Sequence, residues 1–118
     1  IPRTVLPLKY GGDGDPLDAI LMGEKIKKGE IIETIPIGVI KMTDMGEDDH
    51  KIILVNANSK NFDKTNKYSD EIIKIIEWFK NYKVKGTVNF IKLEDNQEAM
   101  KIVKKASKDY NKFGIKKR

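Results

Sequence analysis

The stretch over residues 31–55, IIETIPIGVIKMTDMGEDDHKIILV, carries the clearest structural pattern in this sequence. Its first part, residues 31–40, is rich in β-branched side chains, which are typical of a strand. Pro36 and Gly38 lie within this run and favour an edge position or a β-bulge, because proline donates no ladder hydrogen bond. An acidic turn follows, and residues 51–55 form a second apolar run. The stretch therefore predicts a strand–turn–strand pair with acidic residues at its tip.

Further elements are predicted on both sides of this pair. Apolar residues at i, i+3, i+4 and i+7 predict a helix face at Ile72, Ile75, Ile76 and Phe79. A second helix face is predicted at Ala99, Ile102, Val103, Ala106, Tyr110 and Phe113. The predicted elements are a strand over residues 19–22, a helix from Ser69, a strand over residues 86–91 and a helix over about residues 96–112, which Gly114 would end. Their order predicts a mainly β chain with flanking helices, an α+β fold with an antiparallel sheet or small barrel.

The composition limits the classes of protein to which the chain can belong. It has 118 residues, 39% of them hydrophobic, which suits a single domain over residues 1–118 with one modest core. Lys+Arg number 23 and Asp+Glu 18, and this net charge of +5 favours an anionic partner. The absence of cysteine excludes a disulfide framework, a thiolate nucleophile and a cysteine-ligated zinc site, and it fits a cytoplasmic location. No apolar run approaches the roughly 20 residues of a transmembrane helix, so no membrane partner is expected.

Three carboxylates, Asp13, Asp15 and Asp18, lie within six residues of each other in the sequence DGDPLD. Carboxylates packed this closely repel one another unless a cation is present. Aspartate is a hard oxygen ligand that suits Mg²⁺, with Mn²⁺ or another divalent cation as an alternative. The competing interpretation is an ordinary acidic turn, since Asp, Gly and Pro are favoured turn residues.

A second acidic group lies at the turn of the strand pair, at Asp44, Glu47, Asp48 and Asp49. Side chains alternate along a strand, so Asp49 and Lys51 are predicted to point to the same side. There Asp49 would hold a metal, and Lys51 would meet the phosphate that the metal binds. Taken alone, this group is better interpreted as an ordinary hairpin tip.

Several segments together resemble the family I soluble inorganic pyrophosphatases. Residues 13–19, DGDPLDA, match the signature of that family at every position. Similar segments occur in the order of the family at residues 1–4 (IPRT), 36–44 (PIGVIKMTD), 46–51 (GEDDHK) and 77–83 (EWFKNYK). The resemblance covers essentially the whole chain except its last few residues.

The resemblance implies an OB-like five-stranded β-barrel with flanking helices and the Mg²⁺-dependent hydrolysis of pyrophosphate to two phosphates. It implies four metal ligands: Asp13, Asp18, Asp44 and Asp49. It gives Asp15 the catalytic role of contacting and helping to deprotonate the nucleophilic water. It implies phosphate binding by Lys51, Tyr82 and Lys83. It also implies a homo-oligomer, a hexamer or a dimer.

Two departures from the family pattern are visible. Met45 replaces a residue that is usually Glu, and we expect this to tune the site rather than abolish it. The segment that precedes the equivalent of Ile1 in the family, with the first barrel strands and part of the phosphate-binding wall, is not in this chain. We therefore expect an incomplete barrel with an exposed strand edge, and weak or no activity from the 118 residues alone.

The alternative function is an OB-like barrel that binds single-stranded nucleic acid. It expects exposed aromatic residues beside lysines on the strands, whereas the strands here are aliphatic apart from Phe90. It also leaves the aspartates unexplained, so nucleic acid is not expected as a partner. The lysines of the second helix are expected to form a solvated face, His50 to lie at the surface and Trp78 to pack in the core.

Overall fold

The computed structural model describes residues 1–23, 27–58, 69–82 and 88–114, with the backbone alone at residues 69, 82, 88, 90 and 91. A short 3-10 helix spans Leu8–Tyr10. The strands are β1 (Asp18–Met22), β2 (Thr34–Asp44), β3 (Glu47–Asp48), β4 (Lys51–Asn56) and β5 (Val88–Glu94). The helices are α1 (Ser69–Tyr82) and α2 (Asn96–Phe113). The α+β prediction is confirmed, with each predicted element present and its ends shifted by a few residues.

Strand β2 is the centre of the sheet. It pairs antiparallel with β4 and β3, and antiparallel with β5. Strand β1 pairs with β4 in parallel, from Asp18 opposite Lys51 to Met22 opposite Val55. The prediction of an antiparallel sheet is therefore wrong for this pair. The chain runs from β1 to β2, but these two strands are not neighbours in the sheet, because β4 lies between them. The local pattern of the sequence does not encode this order.

The irregularity at Pro36 and Gly38 is a shift in the β2–β4 register, so the predicted bulge is confirmed. The alternative of an edge position is wrong, because β2 has neighbours on both sides. Gly38 also lies against β5: a Cβ atom there would stand 2.9 Å from the carbonyl oxygen of Glu94. The shift places Ile37 and Val39 in different cores, although residues two apart share a face in a regular strand.

Two hydrophobic cores cover the sheet. One contains Ile40, Met42, Ile53 and Val55 from the strands, and helix α1 supplies Ile72 and Ile76 to it. The other contains Leu17, Val39 and Ile52, and helix α2 supplies Ala99 and Ala106. The predicted inward face is confirmed for α1, and for α2 as far as Ala106, whereas Phe113 packs against Tyr10 instead. The prediction that Trp78 packs in the core is wrong, because this residue of α1 is 54% exposed.

Helix α2 has defined ends. The side chain of Asp95 accepts a hydrogen bond from the backbone N–H of Glu98 at 3.0 Å and caps the first turn. Gly114 follows the last residue and donates its N–H to the carbonyl of Tyr110. The predicted solvated lysine face is confirmed, since the following side chains are exposed: Lys101, Lys104, Lys105, Lys108 and Lys112.

The five strands do not close into a barrel within the described ranges, since β1 and β5 stand at opposite sides of the β4–β2 pair. The expected incomplete barrel is therefore found. In the part of the chain that the structure describes, neither helix has the length and apolarity that a membrane crossing requires.

Candidate active site

The first acidic loop, residues 13–18, is held against the N-terminal segment of the chain. The backbone of Leu6 donates to the carbonyl of Asp15 at 3.1 Å and accepts from the N–H of Gly14 at 2.8 Å. The hydroxyl of buried Thr4 accepts from the N–H of Leu17 at 3.0 Å. Gly14 has a φ of 80°, a backbone conformation that favours glycine. The DGD sequence thus forms a turn with fixed ends, in which Asp13 Oδ1 accepts from the N–H of Asp15 at 3.0 Å.

The second acidic segment, residues 44–49, is joined to the first. The N–H of Asp48 donates to the carbonyl of Gly11 at 2.9 Å, and Gly12 forms a β-bridge with Asp48. Gly12 fits closely, because a Cβ atom there would stand 2.4 Å from the carbonyl oxygen of Leu6. These contacts bring Asp13 and Asp49, which are distant in the sequence, to the same side of the molecule.

Lys51 lies at the centre of the site. Its Nζ donates to Asp18 Oδ2 at 2.6 Å and to Asp49 Oδ1 at 2.8 Å. The parallel register of β1 and β4 places Asp18 directly opposite Lys51. The prediction that Asp49 and Lys51 share one side is confirmed by their ion pair. The Lys51 side chain is 9% exposed, compared with 60% for Asp18 and 15% for Asp49, so it is the most enclosed of the three side chains.

The electrostatics reflect this crowding. Burial raises the pKa of Asp13 above its ordinary value, and repulsion from Asp49, Asp15 and Asp18 adds to the rise. Burial alone would lower the pKa of Lys51, but its hydrogen bonds to Asp18 and Asp49 outweigh that effect and raise it. The site therefore holds an excess of carboxylate charge around one ammonium.

His50 differs from the prediction of a surface position. It is half-buried, and its Nδ1 accepts a hydrogen bond from the backbone N–H of Met42 at 3.2 Å. Burial lowers the pKa of this imidazole. The ring therefore fastens β2 to the segment that carries Asp49.

The other predicted site residues are placed as follows. Asp15 is exposed, and Asp44 is half-buried at the end of β2, where it pairs with Glu47 across the turn. Met45 is 78% exposed at this turn. Tyr82 is the last residue of α1, and nothing is described of its side chain. Lys83 lies outside the described residues.

The donor set suits a hard divalent cation. Asp18 and Asp49 direct one oxygen each at the single cation of Lys51, and Mg²⁺ commonly uses one or two carboxylates together with water and phosphate. Among the residues described, no group of three or more acidic or histidine side chains converges on one metal position. The structure thus gathers Asp18 and Asp49 around a cation, with Asp13 close enough to repel Asp49.

Two contributors were missed by the sequence analysis. The ring of Phe79 from α1 lies with its centroid 5.5 Å from Lys51 Nζ, within cation–π range. Thr4 anchors the first acidic loop through Leu17. The apolar helical spacing indicated only that Phe79 faces inward, and Thr4 lay in the family-like segment 1–4 without an assigned role.

The known proteins that this chain resembles in sequence are inorganic pyrophosphatases. A sequence model of the family described as inorganic pyrophosphatase matches residues 1–111. The inorganic pyrophosphatase of Picrophilus torridus is 33% identical over 116 residues, which are 92% of this chain and 66% of the relative. Inorganic pyrophosphatase 1 of Caenorhabditis elegans is 34% identical over 93 residues, which are 70% of this chain and 22% of the relative. The chain thus spans less than two thirds of the length of these relatives.

A solved structure gives the same result. The crystal structure of an inorganic pyrophosphatase from Neisseria gonorrhoeae matches with a TM-score of 0.76 and 33% identity, covering 94% of this chain and 66% of that chain. The predicted OB-like fold is confirmed by this likeness, with the sheet left open here. On the family match, the motifs and the shared fold, this chain belongs to the inorganic pyrophosphatase family.

Proposed function

We propose that the protein hydrolyses inorganic pyrophosphate to two orthophosphates with a divalent cation, and that this cation is Mg²⁺. The observation that carries the proposal is the meeting of Asp18, from the signature loop, and Asp49, from the second acidic segment, at Lys51, with Asp13 near enough to be repelled by both aspartates. Membership of the family implies a divalent cation in general. The choice of Mg²⁺ rests on the aspartate oxygens, which suit a small hard cation. No observation favours the nucleic-acid alternative.

The proposed roles of the residues are those that the family resemblance implies. Asp13, Asp18, Asp44 and Asp49 would hold the cation through carboxylate oxygens. When bound, the cation would lower the pKa of a water molecule, so that hydroxide is available near neutral pH. Asp15 is exposed beside these ligands and would accept the proton of the attacking water.

Phosphate binding is assigned to Lys51, Tyr82 and Lys83. Lysine acts as a compact positive charge for phosphate oxygens, and it would neutralise the charge that develops as the bridging P–O bond breaks. Only Lys51 of these three has a described side chain, and it lies beside both acidic segments. We further propose a cytoplasmic, homo-oligomeric protein, a hexamer or a dimer.

The test is phosphate release from pyrophosphate by the purified chain at high concentration. We expect slow release that requires Mg²⁺ and falls by about 100-fold or more in Asp15→Asn, the range for loss of a general base. Glu33→Gln is the matched control, because Glu33 is an exposed carboxylate before β2. Isothermal titration should show that Asp15→Asn still binds Mg²⁺. Release that is equally fast without Mg²⁺, or in Asp15→Asn, would refute the proposal.

A further inference from the structure

Lys51 has two bonding roles that compete for the three N–H donors of its ammonium. Its ammonium is held by Asp18 at 2.6 Å and Asp49 at 2.8 Å, with the Phe79 ring centroid 5.5 Å away. The proposed function gives the same two carboxylates to a divalent cation, and it gives the same ammonium to phosphate. A lysine ammonium that donates to two carboxylates has only one of its three N–H donors left for a phosphate oxygen.

The two cations also compete for space. Mg²⁺ takes carboxylate oxygens at about 2.0–2.1 Å, so it would occupy the region between Asp18 and Asp49 that the ammonium fills. Mg²⁺ and the Lys51 ammonium are both positive and would repel each other strongly at such a short separation. The Lys51 side chain is 9% exposed, which limits the screening of this repulsion by water.

We propose that Lys51 is a resident counter-cation of the site, which a divalent cation displaces from Asp18 and Asp49, and that the displaced ammonium then binds the phosphate of the substrate. This inference rests on the proposed function. It orders the two binding events, because the chain without a divalent cation has its lysine engaged and binds phosphate weakly.

The chain contains a matched lysine outside the site. Lys41 Nζ lies 2.9 Å from Glu98 Oε1 and 3.8 Å from Glu94 Oε2, so it also contacts two carboxylates. Its side chain is 25% exposed, and its partners belong to α2 and β5 rather than to the acidic segments. Lys41→Met removes the same charge as Lys51→Met without freeing a proposed metal ligand.

The experiment titrates Mg²⁺, and separately Mn²⁺, into the full chain and both variants by calorimetry. We expect Lys51→Met to bind the divalent cation roughly tenfold more tightly than the unmodified chain, because two charge-assisted hydrogen bonds no longer compete. Lys41→Met should stay within about twofold, since Lys41 pairs with Glu94 and Glu98 and competes for neither Asp18 nor Asp49. With the cation saturating, inorganic phosphate should bind Lys51→Met more weakly than the unmodified chain. If Lys51 only stabilised the fold, Lys51→Met would bind both the divalent cation and phosphate more weakly. The proposal instead expects tighter cation binding and weaker phosphate binding.

A measurement on the unmodified chain tests the inference even if the Lys51→Met variant misfolds. Nitrogen-15 NMR of the lysine ammonium groups should show a slowly exchanging Lys51 signal that disappears on addition of Mg²⁺, while the Lys41 signal persists. Equal or weaker cation binding by Lys51→Met, or an unchanged Lys51 signal, would overturn this inference and leave the proposed function standing. An equal gain in Lys41→Met would also overturn it. Absence of cation binding in every protein would overturn both.

Discussion

At the scale of single residues, Phe79 links helix α1 to the proposed phosphate-binding lysine. Its ring centroid lies 5.5 Å from Lys51 Nζ, and its edge contacts Trp78 in a T-shaped pair with centroids 5.1 Å apart. A ring beside an ammonium attracts it through the negative π face, by about 0.5–1 kcal/mol at partly exposed sites. Phe79 therefore orients Lys51 as well as packing against the core.

Phe79→Leu retains apolar bulk and removes the ring. We expect the affinity for Mg²⁺, measured by calorimetry, to rise about two- to fivefold, because the lost cation–π contact no longer holds Lys51 at Asp18 and Asp49. Ile76→Val is the control, since it loses a methylene from the same helix and costs about 0.5–1.5 kcal/mol of stability. An equal rise of Mg²⁺ affinity in the control would assign the effect to helix packing instead.

At the scale of elements, the two acidic segments depend on the close approach of Gly12 to Leu6. A Cβ atom at Gly12 would stand 2.4 Å from the carbonyl oxygen of Leu6, which is backbone and cannot rotate away. We expect Gly12→Ala to lower the free energy of unfolding by about 2 kcal/mol, as overpacking does, and to weaken Mg²⁺ binding. Urea denaturation and calorimetry would measure the two effects.

Gly38→Ala provides the comparison for that prediction. Its added Cβ would stand 2.9 Å from the Glu94 carbonyl oxygen, at the β2–β5 pairing rather than at the acidic loop. We expect a similar loss of stability with Mg²⁺ affinity retained. If Gly38→Ala weakens Mg²⁺ binding as much as Gly12→Ala does, the loop attachment is not specific to the site.

Helix α2 is tied to the sheet by the Lys41–Glu98 ion pair at 2.9 Å. The hydrogen bond from Lys41 lowers the pKa of Glu98 below its ordinary value of 4.5. Because the folded-state pKa is depressed, the pair stabilises the fold above the unfolded pKa, and that stability is lost as the pH falls through the folded pKa. Glu98→Gln should therefore be less stable than the unmodified chain at neutral pH, by a small amount for a solvent-exposed pair.

The measurement is thermal unfolding of both proteins from neutral pH to below the ordinary range of glutamate. The difference in melting temperature should shrink to zero in acid and also shrink at high salt. A difference that is constant across the pH range would show that packing of the side chain, rather than its charge, ties α2 to β2.

At the scale of the whole molecule, the sheet has a core on each face but remains open in the ranges described, with β1 and β5 apart. The site is assembled at the β1–β4 side of this open sheet. Because the sheet is open beside the site, we expect this chain to hydrolyse pyrophosphate slowly. The check is kcat/KM for pyrophosphate with Mg²⁺, set against that of a relative such as the protein from Picrophilus torridus. A comparable kcat/KM would contradict this expectation.

Much of the local structure was predictable because the apolar patterns of strands and helices repeat within a few residues. The apolar spacing of four residues predicted the face of α1, and it is buried as expected at Ile72 and Ile76. The position of Trp78 was not predictable, since an aromatic residue beside an apolar stripe packs inward only if a partner element covers it. The bulge at Gly38 was predictable from composition, whereas the central position of β2 was not.

The sequence by itself determined the chemistry of the site and its local directions. The carboxylates of the DGDPLD run, the strand alternation that puts Asp49 beside Lys51 and the family resemblance are all properties of the printed chain. Only the tertiary structure decided that Asp18, 33 residues away, meets the same ammonium and that Phe79 stands next to it. The physical reason is that alternation and helical spacing act within a few residues. Contact between distant residues instead depends on which strands pair, in which direction, and where a helix packs.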